Sequence, residues 1–108
     1  TFELARAMKV PQTLVDELVA GKSLPLGKFW ATGGAEAYQG YGDVEITLYA
    51  LVKADAIDWK QTLLSRVDYK YGDDETEIQL IEGAKVILIR VEDEYGEVLG
   101  EPNSECTV

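Results

Sequence analysis

The segment Val44–Val52 constrains this chain most. Val44, Ile46, Leu48, Ala50 and Val52 alternate with Glu45, Thr47 and Tyr49. Side chains on a strand point alternately to opposite faces, so this pattern specifies a strand with one apolar face and one polar face. Such a strand needs a layer to cover its apolar side. Other segments also read as strands. Thr76 to Ile81 reads as a strand, with Ile78 and Leu80 on one face and Glu77, Gln79 and Ile81 on the other. Lys85 to Val91 is β-branched and nearly continuous, the pattern of a buried strand. Lys28 to Thr32 reads as a short strand ended by Gly33-Gly34, and Glu97 to Leu99 as a short edge strand.

Helical signals are fewer. Leu14, Val15, Leu18 and Val19 fall on one face of an amphipathic helix. Pro11 is expected as its first residue, and Gly21-Lys22 as its stop. Phe2 to Met8 fits a short strand or a helical turn, and Trp59 to Tyr71 fits a helix or an irregular strand. Ala35 to Gln39 fits a helical turn closed by Gly40-Tyr41-Gly42. The expected class is α+β, with a single domain over 1–100 and a loose tail over 101–108. A chain of 108 residues can bury a core of its own without disulfides.

Composition removes several chemistries. There is no histidine and a single cysteine, Cys106. His-based nucleophile systems, His-ligated metals, internal disulfides and Cys-rich zinc sites are therefore excluded, and no metal is expected. A reducing, cytoplasmic compartment is the simplest expectation. No apolar run approaches a membrane span, and no basic-then-apolar leader opens the chain. The formal net charge is −10, a field that repels phosphate backbones and attracts basic partners. A helix-turn-helix reading of residues 4–22 fails on the same ground, since its second helix carries Asp16 and Glu17 and no base-reading arginine.

Four groups of residues could carry chemistry. Glu75-Thr76-Glu77 on a strand projects two carboxylates from one face, an arrangement that suits a cationic transition state and a cationic acceptor. As an isolated motif it reads as solvated hairpin surface. Arg6, between Ala5 and Ala7, offers a guanidinium that can grip a pyrophosphate bidentately. Phe29-Trp30-Ala31-Thr32-Gly33-Gly34 places a hydroxyl at a strand end beside glycines that admit a close ligand. Tyr38 and Tyr41 offer a wall for a flat ring, although aromatics of small domains usually serve the core.

In this order the motifs resemble the ADP-ribosyltransferase fold, in the arginine-modifying Glu-x-Glu branch of toxins and phage transferases. Leu4 to Pro11 is similar to the family's first strand, whose arginine binds the dinucleotide. Phe29 to Gly33 sits where the family has an aromatic followed by Ser-Thr-Ser, and Ala37-Tyr38 with Gly40 to Gly42 resembles the helix and loop that follow. Ile57-Asp58-Trp59 with Thr62-Leu63 is similar to a segment of the phage members. Glu75 to Val86 resembles the Glu-x-Glu strand, its glycine turn and the next strand. The departures are Ala5 and Ala7 around the arginine, and Ala31-Thr32-Gly33 in place of Ser-Thr-Ser.

The resemblance implies two small packed antiparallel sheets with short helices, forming a cleft for NAD as substrate. It implies that Arg6 holds the pyrophosphate, with Thr32, Phe29, Tyr38 and Tyr41 lining the dinucleotide site. Glu77 would stabilise the oxocarbenium-like charge as nicotinamide leaves, and Glu75 would direct transfer to an arginine of a basic protein target, in the producing cell or a host. The alternative expectation, drawn from the departures, is a non-catalytic acidic binding or immunity-type protein that blocks a basic partner.

Overall fold

The computed structural model describes residues 1–31, 42–68 and 77–108, with backbone alone over 64–68. Thr32, Tyr38, Tyr41 and Glu75 lie outside the described residues, as does the helical turn expected over 35–39. The described chain is α+β and mostly antiparallel sheet. Its strands are β1 (Phe2–Val10), β2 (Phe29–Ala31), β3 (Val44–Val52), β4 (Glu77–Gln79), β5 (Lys85–Asp93), β6 (Val98–Gly100) and β7 (Ser104–Thr107). Its helices are α1 (Gln12–Val19) and α2 (Trp59–Asp68), with one 3-10 turn at Ala54–Ala56. No described helix is long and apolar enough to cross a membrane.

The alternating strand sits in the middle. β3 pairs along its whole length with β1, from Phe2↔Val52 to Val10↔Val44, and with β5 on its other edge. Ile46, Leu48, Ala50 and Val52 are fully buried, while Leu51 on the opposite face is 38% exposed. The Phe2–Met8 segment is therefore strand. Its register against β3 gives it a core-facing row of Leu4, Arg6, Met8 and Val10.

β5 is not buried throughout. Val86 and Leu88 face the core, whereas Lys85 before them and Ile87 between them are exposed. The register then shifts: Ala50 pairs with Leu88 and Tyr49 with Arg90, leaving Ile89 as an extra residue. A one-residue bulge inverts the facing of everything after it. It brings Val91, an odd-numbered residue, to the core side with Val86 and Leu88. The continuous apolar run thus encodes a bulged, half-buried strand.

The segment 101–108 is also not a loose tail. β7 pairs with the first half of β5, from Lys85↔Thr107 to Leu88↔Ser104, while β6 pairs with the second half. Cys106 is fully buried opposite Val86. The segment looks polar because its one fully buried side chain is cysteine, among the residues most often buried, with Val108 partly buried against the core beside it.

α1 lies over the core side, with Val15 and Leu18 buried and Leu14 and Val19 partly so. Pro11 is extended (φ −65°, ψ 152°) and precedes the helix rather than forming its first turn. Its carbonyl accepts the N–H groups of Leu14 and Val15, the role of a capping residue. At the other end the Gly21 N–H donates to Leu18 and the Lys22 N–H to Glu17, closing the helix as expected. The ambiguous Trp59 segment is helical. The Asp58 carboxylate accepts the Gln61 N–H at 3.1 Å and satisfies a free donor of its first turn.

The described strands form one sheet in the order β4-β2-β1-β3-β5-β6. The resemblance leads to an expectation of two sheets. Among the described residues the junction between β2 and β1 is a single pair, Ala5↔Ala31, beside full-length pairing of β1 with β3. The β4-β2 ribbon therefore hangs from the main sheet by one narrow seam.

Candidate functional site

The seam is where the sequence motifs meet. Ala31 pairs with Ala5 on one side and with Glu77 on the other. Ala5, Ala31 and Glu77 thus form one row across β1, β2 and β4, spanning about 10 Å at the usual inter-strand spacing. Three motifs far apart in sequence stand on adjacent strands. Strand alternation also sorts their side chains. Trp30 and Ile78 pair with each other and are buried, so Ala31 and Glu77 face the other way. Phe29, 45% exposed, is on the Glu77 face, with the Lys28 ammonium 5.7 Å from its ring centre.

Arg6 is on the opposite face of the sheet. It stands across from the fully buried Leu48. Its Nη1 donates to the Phe29 carbonyl at 2.6 Å, bracing β1 against β2 next to the seam. Gly27 lies against the guanidinium: a Cβ there would fall 2.9 Å from Cζ and Nη2. The Gly27 carbonyl in turn accepts the Trp30 indole N–H at 2.8 Å. Arg6 Nε is buried and has no partner among the described residues. Burial lowers the pKa of the guanidinium, which remains a cation at neutral pH. The site therefore contains a desolvated cation with a donor left unsatisfied among the described residues, a group that an anion would stabilise.

The structure brings the Arg6, Phe29 and Glu77 strands together, and puts the Phe29 ring and the Glu77 carboxylate on one face. It does not put Arg6 and Glu77 on one face. Ala31, in the row with Glu77, carries no hydroxyl to orient the carboxylate.

Two parts of the site were not singled out from the sequence. Gly27 is one: its φ of 85° and its contact with Arg6 make it part of the arginine's setting. Thr62 is fully buried on α2 and bonded to β4. The signal available for that helix was Asp58 followed by Gln61, the spacing of a capped first turn.

A second charged group occupies the outer face of the main sheet. The Arg90 guanidinium lies 3.9 Å from the Tyr49 ring centre and bridges Glu3 (3.0 Å) and Glu92 (2.7 Å). The Glu92 hydrogen bond raises its pKa; burial opposes this, and Glu3 adds to the rise. These groups satisfy one another and tie β1, β3 and β5 together. Among the described residues, no cluster of His, Cys, Asp and Glu has the makings of a metal site. No family model matches the chain, and no curated protein or solved structure matches it.

Proposed function

We propose that this chain is an ADP-ribosyltransferase-like domain that cleaves NAD beside the β2–β4 ribbon and transfers ADP-ribose to an arginine of a basic protein. The single observation that carries the reading is the row Ala5–Ala31–Glu77. It sets the arginine strand, the aromatic strand and the strand of Glu77 side by side.

In this reading Glu77 hydrogen-bonds the ribose and stabilises the positive charge that develops as the bond to nicotinamide breaks. The exposed Phe29 ring is the flat surface on the same face. Glu75 takes the proton of the attacking guanidinium, so that a new C–N bond replaces the one lost. Arg6 holds phosphate through the donors it does not commit to Phe29. The acidic surface steers a basic target towards the site.

The experiment is incubation with labelled NAD, with and without an arginine-bearing acceptor, for the native chain and Glu77→Gln. Transfer or NAD hydrolysis that falls at least 10²-fold in the variant supports the reading. Turnover no greater than the variant's background refutes catalysis.

A second reading is favoured by a specific observation. Arg6 faces away from Glu77 and is already bonded to Phe29, and Ala31 provides no hydroxyl. These features suit a degenerate domain that binds a basic partner without chemistry. Calorimetric titration with NAD separates the two. Binding that Arg6→Ala abolishes supports the transferase. No NAD binding, together with a tight, salt-sensitive complex with a basic protein, supports the binding protein.

A further inference from the structure

The segment Ile57-Asp58-Trp59 with Thr62 has no role in the chemistry above, yet it is bonded to the strand that carries Glu77. Among the described strands β4 is outermost, and β2 pairs with its inner edge. An outer edge left open exposes backbone groups and leaves the strand free to shift. Here the edge is closed from the α2 side. The Asp58 N–H donates to the Gln79 carbonyl at 2.8 Å, and the Ile81 N–H donates to Ala56 at 2.9 Å. Ile57 and Leu80 form an antiparallel bridge.

Among the outward donors of this edge, the Gln79 N–H finds a side chain. It donates to Thr62 Oγ1 at 3.0 Å. Thr62 is 2% exposed and is the one buried polar residue among those described. Threonine is a mediocre helix former, and a buried hydroxyl is costly unless it is bonded. Its presence inside α2 is explained by this bond. Removing the hydroxyl would leave a buried N–H unsatisfied, two residues from Glu77.

We infer that Thr62 is a positioning residue: with Asp58 it clamps the free edge of β4 and so fixes where the Glu77 carboxylate stands. Its effect on turnover rests on the transferase reading; its effect on β4 does not. A displacement near 1 Å at a catalytic group can cost about 10²-fold in rate.

The test compares the full chain with Thr62→Val, which keeps the shape and removes the hydroxyl, and Thr62→Ser, which keeps the hydroxyl. In Thr62→Val the Gln79 amide should exchange with solvent at least about tenfold faster, and the Glu77 carboxyl resonance should move. Both should return in Thr62→Ser. Should Thr62→Val fail to fold, Thr62→Cys, whose thiol is a poor acceptor, takes its place. Unaltered Gln79 exchange in a folded hydroxyl-free variant overturns the clamp. With NAD, kcat should fall about 10²-fold while KM stays within about twofold, and Thr62→Ser should restore it. An unchanged kcat overturns the positioning role. A native chain that shows the exchange pattern but no turnover refutes the transferase reading and leaves the clamp standing.

Discussion

Replacing Gly27 with alanine tests the setting of Arg6, and the fold supplies its own control. Gly27 has φ 85° and Gly83 has φ 83°. A Cβ on Gly83 would meet nothing within 4 Å, whereas one on Gly27 would lie 2.9 Å from the Arg6 guanidinium. Gly83→Ala therefore measures the backbone cost alone, about 1–2 kcal/mol for an L-residue in the left-handed region. Gly27→Ala adds the displacement of the guanidinium, which must leave the Phe29 carbonyl it binds at 2.6 Å. A hydrogen bond from a charged donor is worth about 1.5–3 kcal/mol, so Gly27→Ala should cost about 2.5–5 kcal/mol in all. Equilibrium urea unfolding gives both values, with the slope held common. The excess belongs to the contact with Arg6, so it should vanish in an Arg6→Ala background. Equal losses at the two glycines, or an excess that survives removal of Arg6, would refute the account of a pinned guanidinium.

Gly42 faces the tightest approach: a Cβ there would overlap the Val10 carbonyl group and the Pro11 nitrogen. Gly42→Ala should therefore cost more than about 3 kcal/mol, seen as a large fall in urea midpoint; a near-native midpoint would show that the β1–α1 junction yields easily. Arg90→Ala should cost about 1–2 kcal/mol, through both the stacked ring and the two carboxylates, with a double-mutant cycle to Tyr49 isolating the ring contact. Cys106, fully buried, should resist an aromatic disulfide reagent in the native chain and react on unfolding. Rapid native reactivity would contradict the docking of β7. Deleting residues 101–108 should abolish cooperative unfolding, since it removes β7 and its row on β5.

Much of the local structure was legible because it obeys short rules. The alternation in Val44–Val52 marked a strand and its core face, and Gly21-Lys22 marked the end of α1. The Trp59 segment stayed ambiguous because its periodicity is poor, although Asp58 and Gln61 mark a helix start. β7 was missed because a single inward cysteine among polar residues gives no periodic signal. The candidate site was legible only as separate motifs. Nothing near Arg6 or Glu77 in sequence states that β2 will lie between their strands, or that the two side chains will face opposite ways.

The sequence by itself determined the secondary elements with strong periodicity, and the absence of histidine chemistry, because both depend on residue identity and near neighbours. Tertiary structure decided the strand order, the bulge that turns Val91 inward, and the meeting of Thr62 with Gln79. The physical reason is that pairing between distant strands is selected by the whole core at once. A one-residue shift in any strand exchanges its buried and exposed faces, and only the packed sheet shows which register satisfies all of them.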